Sequence, residues 1–235
     1  MNYRYALQHA RAAGFLILVS LVAGAFGEMY VPMKIIVPTD ATATARNILA
    51  SDLLFRLGFA GYLVEGICNV ALVLIFYVLL RPVQKTIALL AVCYGLVAIS
   101  VFAVAELFYV APLLILGDAD YLNTFTADQL NTLALLSLKL YGYAAGILMA
   151  FGGVGSVLFG YLILKSGYLP SLLGALLALG GIGFVGRNYA LIIAPEYAYD
   201  WLFLPMLFAY LSLALWLLAR GVDEVKWEER AVARE

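Results

Sequence analysis

Six ionisable side chains lie inside long apolar stretches: Glu28, Arg56, Glu65, Glu106, Lys139 and Arg187, three acids and three bases. A charge at the centre of a bilayer costs about 2.5–3.5 kcal/mol on insertion scales, so such groups pair with one another or face water or a ligand. Polar neighbours recur at helical spacing. Tyr62, Glu65 and Asn69 share one face, Glu106 and Tyr109 are three apart, Lys139 and Tyr143 four apart, and Asn188 and Tyr189 follow Arg187. Two chemistries fit this set. One is a polar cavity open to the outside that binds a small polar or lipid-like molecule. The other is a buried ion-pair network that fixes helix register. Either reading expects an acid–base bridge between helices, using Arg187 or Lys139 with Glu106, Glu28 or Glu65. Arg56 lies only a turn into its helix, where snorkelling suffices. The candidate site is thus Glu28, Arg56, Glu65, Asn69, Glu106, Tyr109, Lys139, Tyr143, Arg187 and Asn188. Carboxylates can act as general acids or bases. With one histidine, His9, no activated nucleophile pair and no Cys/His ligand set, the sequence presents no catalytic residue, metal site or cofactor.

These residues sit in a chain of 235 residues that is 65% hydrophobic and 12% charged. A soluble domain is nearer half apolar and a quarter charged, so the composition is that of an all-α integral membrane protein. A net charge of -1 gives no bias toward nucleic acid. Six segments are long enough to cross the bilayer: 12–36, 52–80, 86–116, 127–164, 170–194 and 199–220. The first follows Arg4 and Arg11 but lacks a small-residue cleavage site, so it reads as a retained helix. Arg81, Lys85, Lys165 and the bases after Arg220 lie on one side. Asp40, Asp52, Asp118, Asp120, Asp128, Glu196 and Asp200 dominate the other. The positive-inside rule then places both termini in the cytoplasm of a cell with this chain in its inner membrane. Residues 1–222 form one expected domain, and 223–235 a charged cytoplasmic tail. Asp40 or Thr39 can cap a short surface helix, and Thr126 with Gln129 has capping-box spacing. The segment 127–164 is longer than a bilayer requires, so its first turns project or it breaks near Gly152 and Gly153. Glycines at four-residue spacing there let helices pack closely. Cys68 and Cys93 read as packing residues within spans.

A pattern also recurs. Glu28–Asp40, Glu106–Asp118 and Arg187–Glu196 each run from a charge through apolar residues to an acid, and Tyr77/Arg81, Tyr161/Lys165 and Trp216/Arg220 place an aromatic four before a base. This predicts three parallel helical hairpins related by rotation about the membrane normal.

Four stretches carry a family likeness: IVPTDATATARNILASDLLFRLGFAGYL, YVLLRPV, VLFGYLILKSGYLP and LLGALLALGGIGF. Together they span most of residues 10–197, and in this order the chain resembles the membrane family called domain of unknown function (DUF) 4386. The resemblance implies a compact multi-span membrane protein and supplies no activity or catalytic residue. Two roles stand foremost: a structural or regulatory protein working through membrane-partner contacts, and a transporter-like or ligand-binding protein. An intramembrane enzyme is the third. The expected partners are membrane lipid and a small-molecule or lipid-like ligand.

Overall fold

The computed structural model describes residues 3–232, so Arg234 and the rest of 233–235 in the expected tail lie outside the described residues. The described chain is helical, with no strand. Helix α1 (Tyr3–Gly24) continues through a π-helical turn (Ala25–Tyr30) into α2 (Val31–Ile35). A surface helix α3 (Ala41–Ala50) precedes α4 (Asp52–Leu80), α5 (Lys85–Ile115), α6 (Ala127–Ser166) and α7 (Ser171–Ile193). Helices α8 (Leu204–Ala219) and α9 (Glu224–Val232) complete it. Six spans are long and apolar enough to cross a membrane: Tyr5–Ile35, Asp52–Leu80, Lys85–Ile115, Ala127–Ser166, Ser171–Ile193 and Asp200–Ala219. They coincide with the six expected segments to within a few residues, apart from an earlier start of the first, and the protein is a multi-pass membrane protein.

The local chemistry of the caps is as the sequence dictates. Asp40 Oδ1 accepts from the Ala43 N–H at 2.8 Å. The Thr126 N–H donates to Gln129 Oε1 and the Gln129 N–H donates back to Thr126 Oγ1, a reciprocal capping box that starts α6. Helix α6 runs unbroken for 40 residues past Gly152 and Gly153, about 60 Å at 1.5 Å per residue, so of the two expected outcomes the helix exceeds the core without breaking. Helix α5 likewise continues past Pro112.

The chain groups into two compact units. The first comprises Met1–Val19, Ile67–Ile99 and Ile147–Glu235. Its helices meet at glycines. A Cβ on Gly160 would stand 2.6 Å from the Gly174 carbonyl oxygen, and one on Gly181 2.5 Å from that of Gly153. Helices α6 and α7 thus approach backbone to backbone, which any side chain at these positions would prevent. The same unit contains Cys68, buried, and Cys93, exposed, both as thiols.

The segment after α8 is docked. Gly221, at φ +68°, ends α8 in the left-handed conformation that glycine adopts without steric penalty. Helix α9 then buries Trp227 completely. The Trp227 indole N–H donates to the Leu79 carbonyl at 3.3 Å, and the Tyr168 hydroxyl donates to the same oxygen at 2.7 Å. Leu79 lies in the last turn of α4, where carbonyls lack helical partners, so two side chains supply what the backbone does not. Burial pushes the Tyr168 phenol pKa up, opposed by Arg230, and keeps the phenol a donor. Arg230 also donates to the Lys165 carbonyl at 3.2 Å.

The second unit comprises Ser20–Gly66 and Ser100–Gly146. Its seam is made by Gly27 against the Gly58 carbonyl, 3.0 Å from an added Cβ, and Gly61 against that of Ala23, 3.2 Å.

Trp227→Ala removes a fully buried side chain and should cost about 3–5 kcal/mol. Trp227→Phe keeps one aromatic ring in the site but loses the hydrogen bond and part of the volume, and should cost less than the alanine change, about 1–3 kcal/mol. Thermal unfolding in detergent checks the order; equal melting points for wild type and Trp227→Ala would show that α9 is not docked.

Candidate functional site: an acid and tyrosine cluster

Three helices of the second unit each present one largely buried face. On α4 it is Phe55, Gly58, Tyr62 and Glu65, at steps of three or four. On α5 it is Phe102, Ala105, Glu106 and Tyr109, and on α6 Ala134, Ser137, Leu138 and Tyr141. The tyrosines converge. Tyr62 meets Tyr109 edge to face at 4.8 Å, Tyr62 meets Tyr141 at 5.6 Å, and Tyr109 meets Tyr141 at 5.5 Å. Phe55 stacks on Tyr109 at 4.6 Å, and Phe102 packs its neighbour Tyr62 at 5.9 Å. Such pairs add about 0.5–1.5 kcal/mol each beyond the area they bury.

The acids enter this aromatic group from three sides. Glu106 is 3% exposed, and neither carboxylate oxygen has a hydrogen-bond partner. It interacts electrostatically with Glu28 and Glu65. Glu65 is half-buried, and its Oε2 lies 2.8 Å from where a Cβ on Gly24 would stand, so a side chain there would displace the carboxylate. Glu28 lies in the π-turn and is exposed, within electrostatic reach of the Tyr62 and Tyr141 hydroxyls. Pro32 has no N–H and its ring would crowd the Glu28 carbonyl of a regular α-helix. The wider turn, in which the Val31 N–H reaches back to the Phe26 carbonyl, accommodates it. Such one-turn π elements concentrate at functional sites. Tyr109 is 1% exposed, and its hydroxyl too has no partner. That oxygen lies 2.6 Å from a Cβ placed on Gly58, so glycine makes its room as well.

A buried polar group left unsatisfied costs about 1–3 kcal/mol, and a charged one more. Glu106 and Tyr109 bear that cost side by side. The arrangement offers carboxylate acceptors and a phenol to a molecule bearing hydrogen-bond donors.

The remaining sequence candidates lie elsewhere. Arg56 is exposed and pairs with Asp52 at 2.8 Å within α4. Asn69 is half-buried and belongs to the first unit. Lys139 and Tyr143 share a face as expected, but it is an exposed one, opposite the face that carries Tyr141. Arg187 belongs to the first unit and pairs with Asp200 at 2.9 Å, not with a glutamate of the cluster. Its guanidinium lies 4.8 Å from the Phe203 ring centre and donates to Asn188 Oδ1 at 3.4 Å. Asn188 is buried and donates to the Phe184 carbonyl at 2.8 Å. The expected bridge from Arg187 or Lys139 to Glu106, Glu28 or Glu65 is therefore corrected. The short 3₁₀ turn Asp200–Phe203 brings an anion and an aromatic ring to Arg187, and the helical phase of Lys139 turns it from the buried face. Phe55, Phe102 and Tyr141 were absent from the sequence candidates. The apolar spacing of Ala134, Ser137, Leu138 and Tyr141 was the available signal.

A family model described as "Domain of unknown function (DUF4386)" matches residues 12–221. The chain belongs to the DUF4386 family. An uncharacterized protein of Archaeoglobus fulgidus is 27% identical to this DUF4386 protein over 180 residues, 74% of this chain and 93% of the relative. No solved structure matches. The family match takes in every residue of the acid and tyrosine cluster.

The Arg187–Asp200 pair is 19% and 83% exposed at its two side chains. A double-mutant cycle with Arg187→Ala and Asp200→Ala should give a coupling of about 0.2–1 kcal/mol, as for exposed pairs. A cycle of Arg187→Ala with Glu106→Ala should be additive; coupling above about 1 kcal/mol there would restore the bridge that the geometry replaces.

Proposed function

We propose that this DUF4386 protein is a membrane-embedded binding protein, transporter-like in its use, whose acid and tyrosine cluster receives a small polar or amphipathic molecule. The observation that carries this is a pair of buried groups one helical turn apart on α5, the Glu106 carboxylate and the Tyr109 hydroxyl, neither with a hydrogen-bond partner. A purely structural network satisfies its own members, because a half-satisfied one is worse than apolar packing. The ion pairs Arg56–Asp52, Arg187–Asp200 and Lys226–Asp223 leave Glu106 out, which favours binding over a structural or regulatory role.

The basic loops support an orientation in a cytoplasmic membrane with both termini inside and the α3 segment outside. In cells expressing otherwise cysteine-free protein, Thr42→Cys should react with a membrane-impermeant maleimide and Gln84→Cys should not. The converse pattern reverses the orientation.

Native mass spectrometry of protein released from mild detergent tests the binding reading. Wild type should carry a co-purified small-molecule adduct that Glu106→Gln and Tyr109→Phe both lose, while Tyr109→Phe melts no lower than adduct-free wild type. Loss of an unsatisfied buried hydroxyl is expected to be neutral or stabilising by up to about 1–3 kcal/mol. Adduct-free wild type together with a less stable Tyr109→Phe would refute it.

A further inference from the structure

The acids of the cluster are spread along its length. No three His, Cys, Asp or Glu side chains among the described residues lie close enough to hold one metal ion. Glu28 comes from the π-turn, Glu65 from α4 and Glu106 from α5. The acids are thus supplied by three different helical segments around one group of tyrosine rings. A compact ion needs convergent oxygens at one point. An organic cation, with its charge on a larger group and carbon around it, is stabilised by separated carboxylates and by ring faces.

The second unit also supplies an amphipathic approach. Glu28 is exposed, and in the same segment Met29, Tyr30 and Met33 are 61%, 50% and 81% exposed. They lie in the first apolar span, so a carboxylate stands next to exposed apolar side chains. At the buried end, the Tyr109 hydroxyl is 1% exposed and without a partner, one helical turn from Glu106 on α5. A hydroxyl there accepts from an N–H donor while the carboxylate neutralises the charge.

Resting on the binding reading above, we infer that the ligand is an amphipathic organic ammonium, its cationic head held between Glu106, Glu28 and the Tyr62, Tyr109 and Tyr141 rings, and its apolar tail leaving past Met29 and Met33. Both glycines that give the cluster room have a defined part in this site. Gly58 leaves space for the Tyr109 hydroxyl, and Gly24 leaves it for the Glu65 carboxylate.

The test uses three probes with one tail and different heads: octylammonium chloride, octanol and sodium octanoate. Each is titrated against the purified full chain in a nonionic detergent while thermal unfolding is followed by tryptophan fluorescence. Octylammonium should raise the melting temperature by about 5 °C at a hundredfold excess over its Kd, the shift expected when a ligand binds only the folded state. Octanol and octanoate should leave it unchanged. Glu106→Gln and the exposed change Glu28→Gln should each raise the half-saturating concentration about tenfold or more. Should Glu106→Gln fail to fold, Tyr109→Phe, which preserves the ring and deletes only the hydroxyl, takes its place with the same expected loss. An octanol shift of equal size that Glu106→Gln abolishes would overturn the ammonium assignment and leave the binding reading standing. An octylammonium shift unchanged in every variant would mean binding elsewhere and overturn the assignment. No shift with any probe would overturn both.

Discussion

The membrane withholds the solvent that would otherwise satisfy polar groups, and every feature of this chain answers to that constraint. Backbone groups close their own bonds in helices. Where a helix ends, a side chain substitutes, as Trp227 and Tyr168 do for the Leu79 carbonyl and as the Thr126–Gln129 box does at the start of α6. Where helices meet, glycine lets their backbones touch, because hydrophobic burial drives little association among lipid tails. Against this economy the unmet oxygens of Glu106 and the Tyr109 hydroxyl stand apart.

Their setting explains how the fold tolerates them. Tyr62, Tyr109 and Tyr141 pack against one another, with Phe55 and Phe102 at their flanks, so the cluster's rings are held by protein contacts without a ligand. A site already ordered loses less entropy on binding. The π-turn at Ala25–Tyr30 brings a third acid to the same group from a different helix, and Pro32 gives a local reason for that turn. Stability lost at the unsatisfied groups is offset by packing that a ligand need not supply.

Much of this was legible in the sequence. Apolar length and charge placement locate six spans, and Asp40, Thr126 and Gln129 announce their caps by residue type and spacing. Glu28, Glu65, Glu106 and Tyr109 stand out because charge and phenol are costly at such positions. The partners of the bases were not legible. Arg187 takes Asp200 across a turn whose geometry no local pattern encodes, and the outward phase of Lys139 depends on which face of α6 the rest of the unit claims. Tyr141 carries no charge and lies opposite Lys139 on α6, so residue type alone does not single it out. The space that Gly24 and Gly58 leave for Glu65 and Tyr109 is a property of packing, invisible to a reading of one helix at a time.

The most direct measurement is an experimental density map of the full chain in lipid nanodiscs, examined at Glu106 and Tyr109. The account requires a non-protein feature, elongated and with one end within hydrogen-bond distance of both side chains, that disappears in Glu106→Gln. A basic side chain of the protein seated on the Glu106 carboxylate, with no such feature beside it, would contradict the account.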